Sequence, residues 1–265
     1  MRIPKKIKRW IYKISPWITG SFPYYGTWVY FPKGCHLFNR FLEQGEYESE
    51  NVMLLLNFIK KGSVVFDIGA NIGLISIRFL NEFKECTVVS FEPSPNNIPF
   101  LERTWKNSGF GNRWNLVFSA AGEKTGNMDF YIASPAMGAF DGFRDTKRAG
   151  SRKKISIPVT TVDNEWKKMG RPKVSVIKID VEGAEMQVLK GATYCIECER
   201  PYILSEWNSL NFSVYDCVSS DLIRWAEENK YKIFRTLGLI PVLGSTDLKV
   251  QMTVTENFLL APSDV

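Results

Sequence analysis

The stretch VVFDIGANIG (Val64–Gly73) passes from a run of β-branched and aromatic residues into a turn with two glycines. The apolar run predicts a buried strand over 64–68, and the apolar residues after the turn predict a helix near 74–83. A strand, a glycine turn and a helix in this order are typical of parallel sheets that bind a nucleotide-like ligand at the helix amino terminus. Gly69 and Gly73 leave room for close approach of such a ligand, but their spacing does not identify it.

Outward from this stretch, short β-branched runs alternate with helical patterns, which predicts a doubly wound α/β domain with a mostly parallel sheet. Further strands are expected at 87–92, 115–119, 174–180 and 201–206. Further helices are expected at 47–60, 96–107, 184–190 and 218–229. The runs 231–236 and 251–260 predict a final strand pair, an antiparallel hairpin at the sheet edge.

A long interruption at 126–158 separates the third and fourth predicted strands. Because ligands of doubly wound sheets bind beyond the carboxyl ends of the strands, an insertion that follows a strand is placed to cover the site. We therefore interpret its loop, 138–154, as a candidate lid. The aromatic and basic residues of this lid are Phe140, Phe143, Arg144, Lys147 and Arg148.

Two acidic residues at strand ends indicate the charge of the ligand. Asp67 would repel the pyrophosphate of NAD or FAD and would attract the ammonium or sulfonium of S-adenosylmethionine. Glu92 ends the next strand, where a carboxylate accepts hydrogen bonds from ribose hydroxyls. Ala120 and Ala121, which close the third predicted strand, are expected to flank the adenine.

Four motifs make the chain similar to the FkbM-type methyltransferases. They are FDIGANIG (Phe66–Gly73), SFEPSPNN (Ser90–Asn97), TTVDNEW (Thr160–Trp166) and IKIDVEGAEMQVLKGA (Ile177–Ala192), and the resemblance covers about residues 45–260. It implies a class I methyltransferase, Rossmann-like fold, the cofactor S-adenosylmethionine, and methyl transfer to an oxygen of a sugar or a related natural product. The partner that it implies is therefore a carbohydrate or glycoconjugate acceptor.

The resemblance also assigns residues to the donor pocket. The pair Tyr47 and Glu48 matches a YE pair ahead of the first motif, on a helix that helps to close this pocket. The cofactor-binding residues are predicted to be Glu48, Asp67, Gly69, Ala70, Asn71, Gly73, Glu92, Pro93 and Ala120.

The acceptor hydroxyl must lose its proton, so a base is required near the transferred methyl group. The predicted catalytic residues are the acids at the ends of the fourth and fifth strands: Asp180, Glu182 and Glu206. Lys178 shares a strand face with Asp180, and the two form either part of the catalytic site or a buried structural pair. Glu185 has less weight, because the helix dipole alone accounts for an acid in a first turn.

Three alternatives concern the same region. Trp207, beside Glu206, is able to stack on a sugar ring, although Glu206 is equally explained as an exposed acid at a strand end. The three acids are also able to hold Mg²⁺, which lowers the pKa of a hydroxyl, but no metal site is predicted. The single histidine, His36, is a further candidate base from outside the motifs.

Positive charge is concentrated at the amino terminus. The net charge is +6, and the first 13 residues contain six basic side chains and no acidic one. We divide the chain into a basic, aromatic extension over 1–45, irregular between Ser15 and Gly34, and a methyltransferase domain over 46–265. The first residues predict a short amphipathic helix that packs on the domain or contacts an anionic membrane surface.

The near-neutral body argues against a nucleic-acid partner. The five scattered cysteines favour reduced thiols. The chain has no signal peptide and no apolar run long enough to cross a bilayer. We expect a cytoplasmic protein, with peripheral contact at the inner membrane face as the alternative, and the sequence does not indicate an oligomeric state.

Three other functions compete. A nicotinamide-dependent sugar oxidoreductase is disfavoured by Asp67 and by the missing GxGxxG motif. A nucleic-acid methyltransferase is disfavoured because the fourth strand ends in IDVE (Ile179–Glu182), without a Pro-Pro or Pro-Cys signature. A non-catalytic glycan- or membrane-binding module on the same fold stays open.

Overall fold

The computed structural model describes residues 19–145, 150, 152–212, 214–215 and 217–263. The strands are β1 (Gly20–Tyr24), β2 (Thr27–Phe31), β3 (Val64–Ile68), β4 (Thr87–Phe91), β5 (Trp114–Val117), β6 (Ala120–Ala121), β7 (Gly126–Ile132), β8 (Lys153–Thr160), β9 (Val174–Ile179), β10 (Tyr202–Glu206), β11 (Tyr231–Arg235), β12 (Ile240–Pro241) and β13 (Asn257–Pro262). The α-helices are α1 (His36–Gln44), α2 (Ser49–Leu56), α3 (Leu74–Glu82), α4 (Ile98–Asn107), α5 (Val162–Lys168), α6 (Glu185–Lys190), α7 (Thr193–Glu199), α8 (Ser209–Phe212), α9 (Ser219–Glu228) and α10 (Ser245–Gln251).

The main sheet has eight strands in the order β12-β11-β13-β10-β9-β3-β4-β5. Strands β5, β4, β3, β9 and β10 pair in parallel, and β13 is antiparallel to both of its neighbours. From β3 the chain first builds outward to β5 and later returns to add β9 on the other side. The strand order therefore reverses between β3 and β9, which is where doubly wound sheets bind ligands. The expected Rossmann-like, class I methyltransferase fold is confirmed.

Both faces of the sheet are covered, because side chains along each central strand alternate between two cores. Phe66 and Ile68 of β3 face a core shared with α5, α6, α7 and α9, whereas Val65 faces a core shared with α1, α2, α3 and α4. All five β3 residues are buried. Such a strand reads as a continuous apolar run, which is why the sequence predicted it well.

The prediction of an irregular segment between Ser15 and Gly34 is wrong for the described part of that segment. This part forms an antiparallel hairpin of β1 and β2. Tyr25 and Gly26 both have positive φ, as a tight two-residue hairpin turn requires. Phe22 and Phe31 face the same core as β3 and α3. The predicted domain boundary at residue 45 therefore marks where the family motifs begin, whereas the packing of the core continues across it. The predicted amphipathic helix over the first residues lies outside the described residues.

The C-terminal strands β11 and β13 are antiparallel, as expected, with Ile233 opposite Leu260. The prediction of a hairpin at the sheet edge is wrong. Helix α10 lies between β11 and β13 in the chain, and in the sheet β13 has β10 on one side and β11 on the other. The strand expected over 251–260 begins only at Asn257. The apolar residues before Asn257 belong to α10 and to the turn that follows this helix. A short apolar run in a sequence does not distinguish a helix from a strand.

The insertion contributes a separate three-stranded sheet, in the order β6-β8-β7. Its strands β7 and β8 pair antiparallel, with Phe130 opposite Ile155. Ala120 and Ala121 were expected to close the third strand of the main sheet. They form β6 of this smaller sheet instead. No helix among the described residues is both long and apolar enough to cross a membrane.

Candidate active site

A cavity of about 360 Å³ lies beyond the carboxyl ends of the parallel strands β3, β4, β9 and β10. Sites for small molecules generally occupy about 300–1,000 Å³. Except for Gly73, every residue predicted to bind the donor or to act in catalysis lines this cavity. They are Glu48, Asp67, Gly69, Ala70, Asn71, Glu92, Pro93, Ala120, Asp180, Glu182 and Glu206.

The glycine turn is required by the packing of the protein on itself. A Cβ atom at Gly69, where φ is +86°, would lie 1.8 Å from the carbonyl oxygen of Asp180. A Cβ atom at Gly73, where φ is +91°, would lie 2.9 Å from the ring of Trp114. Packing alone therefore requires both glycines, and the room for a ligand expected from the sequence stays a prediction for Gly69, which lines the cavity. Gly69 brings β3 and β9 together at the floor of the cavity, and Gly73 lets α3 begin against β5.

Asp67 is completely buried at this floor, and a chain of hydrogen bonds holds one of its oxygens. Trp114 Nε1 donates to Ser90 Oγ at 2.7 Å, Ser90 Oγ lies 2.6 Å from Ser76 Oγ, and Ser76 Oγ donates to Asp67 Oδ2. An indole N–H only donates and an ionised carboxylate only accepts, so both hydroxyls must donate in the direction of Asp67. Three side chains therefore orient this carboxylate.

The other oxygen, Asp67 Oδ1, is buried and has no hydrogen-bond partner among the described residues. The ammonium of Lys178 is 4.0 Å away. Burial raises the pKa of Asp67, and Lys178 opposes this shift. An unsatisfied buried carboxylate oxygen costs free energy, so a ligand that brings a cation or an N–H donor to Oδ1 is stabilised.

Glu92, at the end of β4, is also buried, and both of its oxygens accept hydrogen bonds. The backbone N–H of Asn71 donates to Oε2 at 2.7 Å, and the N–H of Ser94 and Nδ2 of Asn97 donate to Oε1 at 2.8 and 3.3 Å. Burial raises the pKa of Glu92 to about 7, although these hydrogen bonds lower it. A carboxylate has about four lone-pair positions, so capacity remains for a ligand hydroxyl.

The buried Lys178 and the half-buried Asp180 and Glu206 form an acid–base group at the wall beside Asp67. Lys178 Nζ donates to Asp180 Oδ2 at 2.9 Å, and Glu206 is hydrogen-bonded to Asp180. Burial and the Asp180 carboxylate raise the pKa of Glu206 well above its usual value, which favours the protonated form of Glu206. Burial lowers the pKa of Lys178, but the carboxylates of Asp180 and Asp67 outweigh it and leave that pKa above its usual value. Asp180 is thus both part of an ion pair with the buried Lys178 and a wall of the cavity, which unites the two interpretations left open by the sequence.

The loop after β9 carries Glu182, which is buried, has φ +56° and accepts a hydrogen bond from Asn211 Nδ2 at 3.0 Å. Glu185 fixes this loop, because its Oε1 accepts the backbone N–H groups of Val181 and Gly183, both at 3.1 Å. Burial raises the pKa of Glu185 to about 8. Glu185 does not line the cavity, so its action on the site is through the loop.

Glu48 closes the cavity from the N-terminal side, next to Tyr47, which also lines it. Glu48 has φ +46° directly before α2, and its carboxylate accepts a hydrogen bond from Asn51 Nδ2 at 3.2 Å. Burial raises the pKa of Glu48, and Lys178 lowers it. The pair thus lies at the cavity, directly before α2 and not on the helix that the resemblance implied.

The insertion is fastened over the cavity by Asp141, a residue that sequence reasoning missed. Its carboxylate accepts hydrogen bonds from the backbone N–H of Ala133 at 2.7 Å, from Ser94 Oγ at 2.6 Å and from Asn96 Nδ2 at 3.0 Å. Burial raises the pKa of Asp141, and these donors lower it. The only signal available beforehand was the polar run SPNN after Glu92, which supplies the donors.

Two of the predicted lid residues, Phe140 and Phe143, line the cavity. Arg144 is exposed, and its backbone N–H donates to the hydroxyl of Tyr215 at 3.1 Å. Lys147 and Arg148 lie outside the described residues.

His36 and Arg40 lie one turn apart on α1, and both line the cavity. The His36 ring centre is 5.6 Å from that of Phe140. Burial lowers the pKa of His36, so its imidazole is neutral at pH 7 and able to accept a proton. One expectation about aromatic contacts is wrong: Trp207 is 0% exposed and packs in the core, so it does not stack on a sugar.

A family model described as the methyltransferase FkbM domain matches residues 67–233. Among curated proteins, the chain is 28% identical over 152 residues to the hexuronic acid methyltransferase AglP of Haloferax volcanii, a match that covers 57% of this chain and 58% of that protein. It is 26% identical over 165 residues to the 2-O-methyltransferase NoeI of Sinorhizobium fredii, covering 56% of this chain and 65% of that protein. The chain thus spans less than two thirds of the length of these relatives.

Among solved structures, the fold is similar to an FkbM methyltransferase from Methylobacillus flagellatus, with a TM-score of 0.47 and 18% identity over 77% of this chain and 45% of that chain. It is also similar to a TehB-like S-adenosylmethionine-dependent methyltransferase from Corynebacterium glutamicum, with a TM-score of 0.43 and 13% identity over 85% of this chain and 92% of that chain.

Proposed function

Because the chain belongs to the FkbM methyltransferase family, we propose that it transfers a methyl group from S-adenosylmethionine to a hydroxyl oxygen of a sugar in a glycan or glycoconjugate. One relative is named for hexuronic acid and the other for transfer to a 2-oxygen, and together these names favour a sugar oxygen. The observation that carries the proposal is the buried, unsatisfied Asp67 Oδ1 at the floor of an acid-lined cavity.

The residues present fit S-adenosylmethionine. The donor carries a positive sulfonium and a positive ammonium, and the cavity walls include the carboxylates of Asp67, Glu92 and Asp180. A cation that binds beside Asp67 is favoured because Oδ1 accepts no hydrogen bond from the described residues. Glu92 would accept a ribose hydroxyl, and the small side chains of Ala120 and Ala121 would leave a flat wall for the adenine.

S-adenosylmethionine supplies a methyl carbon that is already activated by the sulfonium, so the protein must orient the acceptor and remove its proton. We assign proton removal to Asp180. Lys178 keeps Asp180 ionised, and the protonated Glu206 donates a hydrogen bond to it. The Asp180 carboxylate would take the hydroxyl proton while the acceptor oxygen takes the methyl group that the donor would supply, and the donor would leave as a neutral thioether.

His36 is a second candidate for the base, favoured by its neutral imidazole on the opposite wall. The two candidates differ in their dependence on pH. An Asp180 base gives turnover that is constant above the acidic range, whereas a His36 base gives turnover that falls as this imidazole is protonated.

The test is an assay of methyl transfer from labelled S-adenosylmethionine to a panel of glycans, glycolipids and nucleotide sugars. We expect a sugar product, and Asp180→Asn is expected to lower kcat by about 10²–10⁴-fold with little change in donor Kd. His36→Gln serves as the comparison. Donor binding without methylation of any sugar in the panel would contradict the proposed acceptor class, and equal loss of donor binding and turnover in Asp180→Asn would contradict the role of Asp180.

A further inference from the structure

A second and larger cavity opens beside the reaction cavity. Its volume is about 1040 Å³, against about 360 Å³ for the reaction cavity. Arg40, Glu48 and Asn257 line both cavities, so the two adjoin at these residues. A molecule whose reacting end lies in the smaller cavity would reach the larger one by passing these three side chains.

Two walls form this second cavity. One wall is the chain from the end of α1 to the start of α2, residues 40–51. The other is formed by Thr236 and Leu237 after β11 and by Val254 and Thr255 before β13. No residue of the turn at 67–73 lines it. The second cavity thus lies on the side of Glu48 away from the predicted donor site.

The lining has the chemistry of a site for hydroxyl groups. Carboxylates, amides and hydroxyls accept or donate hydrogen bonds to a polyol from many directions. The polar residues of the lining are Arg40, Glu43, Gln44, Glu46, Glu48, Ser49, Glu50, Asn51, Thr236, Thr255 and Asn257. Four of these are acidic and one is basic, so a polyanionic chain would be repelled and an uncharged one would not.

We propose that the second cavity binds the sugar residues of an uncharged oligosaccharide acceptor that lie beyond the residue being methylated. The inference rests on the proposed function and adds to it the class of acceptor: a neutral chain, bound at more than one sugar. The supporting observations are its polar lining and its position next to the reaction cavity, with which it shares Arg40, Glu48 and Asn257.

Binding of maltopentaose, cellopentaose, chitopentaose and pentagalacturonate tests this proposal, measured by saturation-transfer NMR with S-adenosylhomocysteine present. Since no methyl is transferred, failure of this binding and failure of the proposed reaction are separate results. Thr255 is half-buried in the cavity wall, and Thr255→Trp would fill the cavity. Thr253→Trp is the matched control, because Thr253 is exposed and does not line the cavity.

We expect at least one neutral pentasaccharide to bind more tightly than pentagalacturonate. Thr255→Trp is expected to raise the Kd of that pentasaccharide by at least about tenfold, whereas Thr253→Trp changes it by less than about twofold. Unchanged thermal unfolding and donor Kd in both variants would establish that each is folded. The proposal is overturned by equal pentasaccharide binding in the two variants, by preference for pentagalacturonate, or by no binding of a neutral pentasaccharide.

Discussion

At the scale of single residues, Asp67 depends on side chains that no ligand needs to touch. The series of hydrogen bonds from Trp114 through Ser90 and Ser76 runs toward Asp67. It leaves only Oδ1 of the Asp67 carboxylate without a hydrogen bond among the described residues. The sequence identified Asp67 from its place at a strand end. It did not identify this chain, because Ser90 and Trp114 come from separate strands whose register is set only by tertiary pairing.

Ser90→Ala breaks this chain and is expected to weaken S-adenosylmethionine binding by about tenfold, which corresponds to about 1.4 kcal/mol. The methyl-transfer step should change less, since Ser90 does not line the cavity. The measurement is calorimetric titration. The matched control is Ser175→Ala, which removes a buried serine pair with Ser63 at the other end of the sheet. Equal effects of the two substitutions on donor affinity would contradict the orienting role.

Glu92 predicts a dependence of donor binding on pH. Its pKa is raised to about 7, and only the ionised form keeps the remaining lone pair of Oε2 free to accept a ribose hydroxyl. Donor affinity should therefore rise as the pH increases from about 6 to about 8. Glu92→Gln keeps the size of the side chain and removes the charge, so this variant should bind weakly and without the step near pH 7. A step that persists in Glu92→Gln would assign it to another group.

At the scale of elements, the insertion is hydrogen-bonded to the loop after β4, beside the cavity. Asn97 Nδ2 donates to the carbonyl of Gly138 at 3.2 Å, in addition to the contacts of Asp141. Sequence reasoning placed a candidate cover here from the order of the strands. It missed the fastening, since hydrogen bonds between distant polar residues leave no periodic pattern.

Asp141→Asn tests this fastening. Loss of the charge weakens the hydrogen bonds from Ser94 and Asn96, so backbone amides of residues 133–141 should exchange hydrogen faster and bound donor should dissociate faster. Hydrogen-exchange mass spectrometry and stopped-flow dissociation measure the two effects. Asp129→Asn is the control, because Asp129 pairs with Lys154 on the exposed part of the same insertion. Unchanged exchange in Asp141→Asn would show that the cover is held by other contacts.

Strands that are buried on both faces were predicted more accurately from the sequence than strands with an exposed face. β3 and β9 are buried on both faces, and their ends were predicted within one residue. The β1–β2 hairpin was missed because its alternation of buried and exposed residues is only five residues long in each strand and includes Pro23. The end of the third strand was misplaced because Ala120 and Ala121 pair with β8, a partner distant in sequence.

At the scale of the whole molecule, the N-terminal hairpin and α1 belong to the folded core. Phe38 of α1 stacks on Phe31 of β2 with ring centres 4.0 Å apart, in the core that also contains Val65. The motifs could not reveal this, since they begin after residue 45. One wall of the cavity, formed by His36 and Arg40 of α1, therefore comes from outside the part matched to the family.

Phe38→Ala is expected to lower the free energy of unfolding of the whole chain by about 3–5 kcal/mol, in one transition. Circular dichroism at 222 nm and tryptophan fluorescence, followed in the same urea titration, measure it. Trp28→Ala is the control, because Trp28 is in the same hairpin and is 52% exposed. Two separate transitions, with the second unaffected by Phe38→Ala, would mean that the N-terminal segment folds as an independent unit.

The central claim is that the acid-lined cavity at β3 and β9 binds a cationic methyl donor. Titration calorimetry of one preparation with S-adenosylmethionine and with NAD⁺ tests it most directly. We predict saturable heat with S-adenosylmethionine, its loss in Asp67→Ala, and no saturable heat with NAD⁺. Saturable heat with NAD⁺ and none with S-adenosylmethionine would contradict the account.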